Sequence, residues 1–114
     1  MTKRLELRLR AQADLLEIQT WILETFGLVQ TEKYMDNLRS AIALLRDPDP
    51  IRQPLACSRL TGQPRHGALA LVRSGRHLIV YHETSEEIAV IAVLHSASDI
   101  VGRLDTLLNQ MKDH

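Results

Sequence analysis

The spacing of apolar positions changes along the chain, and each change marks an element. At the start Leu5, Leu7 and Leu9 alternate with Arg4, Glu6, Arg8 and Arg10, the two-residue period of a strand with one buried face and one wet, mostly basic face. From Ala11 the intervals become four, three and four through Leu15, Ile18 and Ile22, joined by Trp21 and Phe26, and Gly27 supplies a left-handed stop. This predicts a first helix. A second stripe follows in Leu28, Met35, Leu38, Ile42 and Leu45, until Asp47-Pro48 forbids helical geometry at the residue before proline. Two helices so closely joined must lie antiparallel, as a hairpin.

The segment "DPDPIRQPLACSRLTGQP" holds all four prolines and shows no period, so it reads as a long surface connection with room for short local structure. Three apolar runs follow, "RHGALALVR", "HLIVYH" and "IAVIAVLH", separated by the turn-like "SGR" and "ETSEE". They predict a meander of adjacent antiparallel strands. "IAVIAVLH" is apolar on both parities, as a central strand covered on both faces should be. Helical spacing returns in Ile100, Leu104, Leu107, Leu108 and Met111, predicting a last helix over about 97–112 with Ser96 or Ser98 as its cap. The expected architecture is a single α+β domain over 1–114, in the order β-α-α-β-β-β-α: a helical hairpin packed on a twisted antiparallel sheet, with an extra C-terminal helix.

Composition narrows the function. A chain of 114 residues suits one domain with a real core. Fourteen Lys+Arg balance fourteen Asp+Glu, so no bulk attraction to nucleic acid or to an anionic membrane is expected. Eleven of the fourteen cations are Arg, whose planar fork holds carboxylates and phosphates at two points, a bias toward recognition. The lone Cys57 excludes an internal disulfide and a cysteine-based zinc cluster. Nothing at "MTKRLELRLR" resembles a signal peptide, and no apolar run approaches membrane-spanning length, so a cytoplasmic protein is expected.

A strand, then "AQADLLEIQTWILETFG" with its Ala-x-x-Asp-Leu-x-x-Ile pattern at Ala11, Asp14, Leu15 and Ile18, a second helix, "GRHLIVYH" and "VIAVLHSASD": in this order, from Leu5 to Asp99, the chain resembles the ParE branch of the ParE/RelE toxins of bacterial type II toxin–antitoxin systems. The resemblance implies a non-enzymatic toxin that binds DNA gyrase and is neutralised by a cognate antitoxin; because the sequence offers no convergent His, Cys or carboxylate set, no metal and no cofactor are expected. The resemblance also marks Arg65, as the family's strand-opening Arg, and makes Asp14, Tyr81 and His95 structural family positions. The family's Leu-His-x-x-Arg-Asp pattern is here Leu94-His95-Ser96-Ala97-Ser98-Asp99, without its Arg.

Against the resemblance each residue has a plainer reading. His82 and His95 end strands that run in opposite directions, so they cannot share a site, and His95 is expected to hydrogen-bond backbone. Arg65 and Arg73 share a strand face with Leu69 and Leu71 between them; with Arg76, and with Arg8 and Arg10 on the first strand, they are either solvated ends or anchors for a partner's anions. Tyr81 shares the parity of Ile79 and reads as a core tyrosine; Asp14, Glu17 and Glu24 read as a solvated helix face. The first strand is an edge that invites strand addition by an antitoxin, whose amphipathic helix would lie on the hairpin. The second function is a RelE-like, ribosome-dependent mRNA endoribonuclease. It needs cations, an acid and a base around one phosphate, whereas the C-terminal segment offers only the dispersed Arg103, Lys112 and His114. The third is an antitoxin-binding member without toxicity.

Overall fold

A computed structural model describes residues 3–47 and 55–112; Pro48, Pro50 and Pro54 of the long connection and His114 lie outside the described residues. Strand β1 (Arg4–Leu7) ends sooner than the alternation suggests, and helix α1 (Leu9–Phe26) begins two residues later. Arg8 caps the helix in extended conformation and Arg10 sits in its first turn, so neither projects from a strand face, and Leu9 is 83% exposed. The cause is local. Arg8 N–H already completes β1's pairing by donating to the Val90 carbonyl, and Gln12 N–H then closes a helical turn on the Arg8 carbonyl.

Gly27, with φ of 87°, ends α1 as expected and opens α2 (Leu28–Ala43). The Thr31 hydroxyl donates to the Gly27 carbonyl and binds the two helices' junction. Ala11 and Ile22 of α1, and Met35, Leu38, Ala41 and Ile42 of α2, are buried. Trp21 and Phe26 are not: both lie at the margins of the buried stripe on the helical wheel and remain more than half exposed. The connection carries a two-residue strand β2 (Leu55–Ala56), a short helix α3 (Cys57–Thr61) and a 3-10 turn (Pro64–Ala68) before β3 (Ala70–Ser74), β4 (His77–Glu83), β5 (Glu87–His95) and α4 (Ile100–Lys112). "RHGALALVR" is therefore a strand only from Ala70. Arg65 lies in the 3-10 turn, where Pro64 at its first position presets the backbone, and it shares no strand face with Arg73. The side chain of Asp99, rather than that of Ser96 or Ser98, caps α4 by accepting from Gly102 N–H.

The sheet order is β1-β5-β4-β3-β2. The meander β3-β4-β5 is antiparallel, as its short turns require, but β1 lies parallel to β5. That departs from a wholly antiparallel sheet. A two-residue turn forces reversal, whereas the long excursion through both helices and the connection leaves either sense open. β5 is central and buried from Ile88 to Leu94. Its two faces feed separate cores. Ile88, Val90 and Val93 join Ile79 and Tyr81 under the hairpin, while Ala89, Ile91, Ala92 and Leu94 join Leu78, Val80, Leu104 and Leu107 under α4. The molecule is thus three layers, helix-sheet-helix. α4 is integral to its layer: Leu104 and Leu107 are nearly inaccessible, and truncating either to alanine costs about 2–5 kcal/mol.

Candidate functional site

The end of the sheet gathers the most chemistry. β4 pairs with β5 so that His77 faces His95, with ring centroids 5.2 Å apart in an edge-to-face arrangement. His82 pairs with Ala89 at the far end, away from both. His77 is buried and hydrogen-bonded through Nδ1 to the Tyr34 hydroxyl from α2. That hydroxyl also accepts from Arg76 N–H at 3.1 Å; with its own proton placed on His77 Nδ1, the neutral imidazole carries its hydrogen on Nε2. Burial, and secondarily the neighbouring His95, holds the His77 pKa down at about 4, so the ring stays neutral near pH 7. Gly75, with φ of 59°, lets the β3–β4 turn approach: a Cβ there would stand 2.9 Å from the Tyr34 hydroxyl oxygen. His95 is exposed, and its Nδ1 accepts from Ala97 N–H at 3.0 Å, the backbone bond expected of it.

Asp14 is not on a solvated helix face. Its Oδ2 accepts from Val93 N–H at 2.9 Å and its Oδ1 from Arg10 Nε at 3.1 Å, with the side chain only 13% exposed. β1 ends opposite Val90, so among the described residues β5 runs on without a neighbouring strand on that side, and Asp14 satisfies a backbone group that this ladder does not reach. Arg10, Asp14, Glu17, His77, His95 and Arg103 together line a pocket of about 160 Å³.

A second polar cluster fastens α4. Arg65 donates through Nε and Nη2 to the two oxygens of Asp105, at 2.7 and 2.9 Å, and through Nη1 to Gln63. Fully buried His66 shares Asp105 Oδ1 at 2.8 Å and meets the Thr61 hydroxyl at 2.7 Å. The Arg65 fork first, and His66 second, hold the Asp105 carboxyl far below the usual carboxylate range. The order hydroxyl, imidazole, carboxylate is that of a nucleophilic relay. Here, however, Thr61 Oγ1 also bonds the Cys57 carbonyl and the Gln63 N–H, so the arrangement ties a turn together.

The remaining candidates are scattered. Arg8 pairs with Glu6 at 3.1 Å and stands 3.7 Å from Glu87; Arg73 bonds the Gly75 carbonyl; Arg76 is exposed in the β3–β4 turn. Tyr81 is buried under the hairpin, and desolvation pushes its pKa up to about 12. Burial likewise raises the Cys57 thiol to about 11. Among the described residues no three His, Cys, Asp or Glu side chains converge as metal ligands, and no helix is long and apolar enough to cross a membrane. Lys112 is described only in its backbone. His77, Tyr34, His66 and Asp105 had not stood out in the sequence, because each partner lies at least 18 positions away except for Thr61.

An apolar stripe runs along the solvent side of the hairpin, among exposed polar residues. Leu9, Leu16 and Leu23, seven apart on α1, are 83, 65 and 47% exposed, and Phe26 continues the stripe beside Trp21 in an edge-to-face pair. A groove of about 290 Å³ between Leu23, Leu28, Thr31 and Met35 borders it.

The family model for the ParE toxin of the type II toxin–antitoxin system parDE matches residues 5–100. The chain belongs to the ParE toxin family. The match ends where α4 begins, so that helix lies almost wholly beyond it. Among solved structures, a chain of the chromosomal ParDE TA system from P. aeruginosa is similar, with a TM-score of 0.67 at 12% identity, covering 82% of this chain and 96% of that one. At such identity the likeness is one of fold. No curated protein matches.

Proposed function

We propose that this ParE-family protein is the toxin of a toxin–antitoxin pair, acting in the cytoplasm by binding and inhibiting DNA gyrase without catalysis, and neutralised by a cognate antitoxin. The observation that carries the reading is the family match over residues 5–100. A proton-transfer catalyst works best with pKa values near the working pH, and three buried groups, His77 at about 4, Cys57 at about 11 and Tyr81 at about 12, are held away from that role.

The surface offers an antitoxin two kinds of purchase. An amphipathic helix fits the stripe of Leu9, Leu16 and Leu23, seven apart, with Phe26, and an extended segment fits the outer edge of β1, which among the described residues has a strand on one side only. Arg8 beside that edge, with Arg73 and Arg76 at the β3–β4 turn, would meet acidic side chains of a partner or of the target. For Arg65 and Arg10 a partner would have to compete with Asp105 and Asp14. The test is controlled expression of the chain alone. Filamentation with an induced DNA-damage response, together with inhibition of supercoiling by purified gyrase, is expected. Global mRNA cleavage with unaffected gyrase would replace this reading with the endoribonuclease, and an absence of any growth defect would leave only antitoxin binding.

A further inference from the structure

The pocket at the end of the sheet has a donor set that the binding functions above leave unused. Arg10 from α1, Arg103 from α4, and His77 and His95 from paired strands all line it. His95 Nδ1 accepts from Ala97 N–H and His77 Nδ1 meets the Tyr34 hydroxyl, which leaves the Nε2 of each ring to donate to a ligand. Of the two carboxylates, Asp14 has one oxygen on Arg10 and the other on Val93 N–H. Glu17 has no ion-pair or hydrogen-bond partner among the described residues, and neither does the Arg103 side chain.

Donors arriving from four elements around about 160 Å³ suit a tetrahedral anion better than a planar carboxylate, which a single guanidinium fork satisfies. The lone Glu17 makes the choice narrower. An ionised carboxylate only accepts, so beside an anion it is favourable only where that anion itself carries a proton. Phosphate and phosphate monoesters do so near neutral pH, their second pKa being about 6 to 7. Sulfate and phosphodiesters do not. We propose that the pocket bounded by Arg10, Glu17, His77, His95 and Arg103 binds a protonated phosphoryl group, as inorganic phosphate or as a phosphate monoester, with Glu17 accepting its hydroxyl.

The test is a titration of the isotopically labelled full chain by NMR near pH 6.5, with phosphate, sulfate at equal ionic strength, a nucleoside 5′-monophosphate and the uncharged nucleoside as separate probes. Saturable shifts confined to the pocket, at Arg10, Glu17, His77, Val93–Ser98 and Arg103, are expected with phosphate, and sulfate should bind at least about tenfold more weakly. Glu17→Gln should erase that preference. Arg103→Ala should weaken phosphate by about tenfold or more, while Arg59→Ala, on exposed α3, should not. Tighter binding of the nucleotide than of phosphate identifies a monoester as the source; equal binding identifies the free anion. Sulfate binding as well as phosphate to the native chain, shifts that never saturate, or undiminished binding in folded Arg103→Ala would each overturn the proposal.

Discussion

Replacing Asp14 with alanine should destabilise the domain more than any other change of an acidic side chain on the hairpin. Asp14 Oδ2 accepts the Val93 N–H at 2.9 Å, in a stretch of β5 that β1 no longer accompanies. Removing the carboxylate leaves a buried backbone donor unmet, which costs about 1–3 kcal/mol, and more where the lost acceptor was charged. The accompanying Arg10 pair, with the arginine side chain 36% exposed, adds only about 0.3–0.5 kcal/mol. Together these give about 2–3 kcal/mol, a fall in melting temperature of roughly 10 °C for a domain of this size. Asp14→Asn keeps an acceptor and should lose about half as much. Arg10→Ala should lose almost nothing. Urea unfolding of the three variants checks the order. If Asp14→Ala stays within about 0.5 kcal/mol of the parent, or if Arg10→Ala equals it, then the carboxylate does not support the strand and the reasoning fails.

His77 should remain neutral well below the ordinary histidine range: its ring resonances should not titrate between pH 7 and about 5, while the unfolded chain protonates near 6.5. Because the folded pKa lies below the unfolded one, this group's contribution is complete above about pH 6.5 and is lost toward pH 4, by up to about 3 kcal/mol. A midpoint near 6.5 in the folded protein would contradict it. Asp105→Asn should release both Arg65 and His66 and raise amide exchange across Ile100–Lys112; unchanged protection there would show that apolar packing alone holds α4. Leu16→Glu should leave stability within about 0.5 kcal/mol yet weaken antitoxin binding at least about tenfold, measured by titration calorimetry; undiminished affinity would remove the α1 stripe from the interface.

What was legible in the sequence is what repeats at short range. The switch from a two-residue to a 3.6-residue period set out β1, the hairpin and the meander, and the unbroken apolar run of β5 foretold a strand covered on both faces. Tyr81 fell on the buried side because parity alone decides it. What was not legible depends on distant partners. Arg65 read as a strand-opening cation available to another molecule, and nothing within its own neighbourhood could reveal Asp105, 40 positions away on α4. Asp14 read as solvated because its acceptor role exists only where β1 stops short of β5's end. Arg8 and Arg10 kept the alternation of a strand although β1 had ended and the backbone turns helical at Leu9, which prolongs that pattern by one apolar residue exposed to solvent.

The pocket shows how little separates these cases. Counting back from the β4–β5 turn in regular register, Tyr81 meets Val90 and His77 would meet Leu94, an apolar neighbour of no chemical interest. The ladder instead slips between Tyr81 and Val80, which pairs with Ala92, leaving Ile91 as the extra residue. A bulge turns every later side chain to the other face. It lets Ile91 and Ala92 both enter the core beneath α4, sends Val93 under the hairpin, and brings His95 opposite His77. A run apolar on both parities tolerates the slip because either register buries it. The same feature that made β5 readable as central therefore hid the histidine pair at its end, and with it the side chains that Arg10, Glu17 and Arg103 surround.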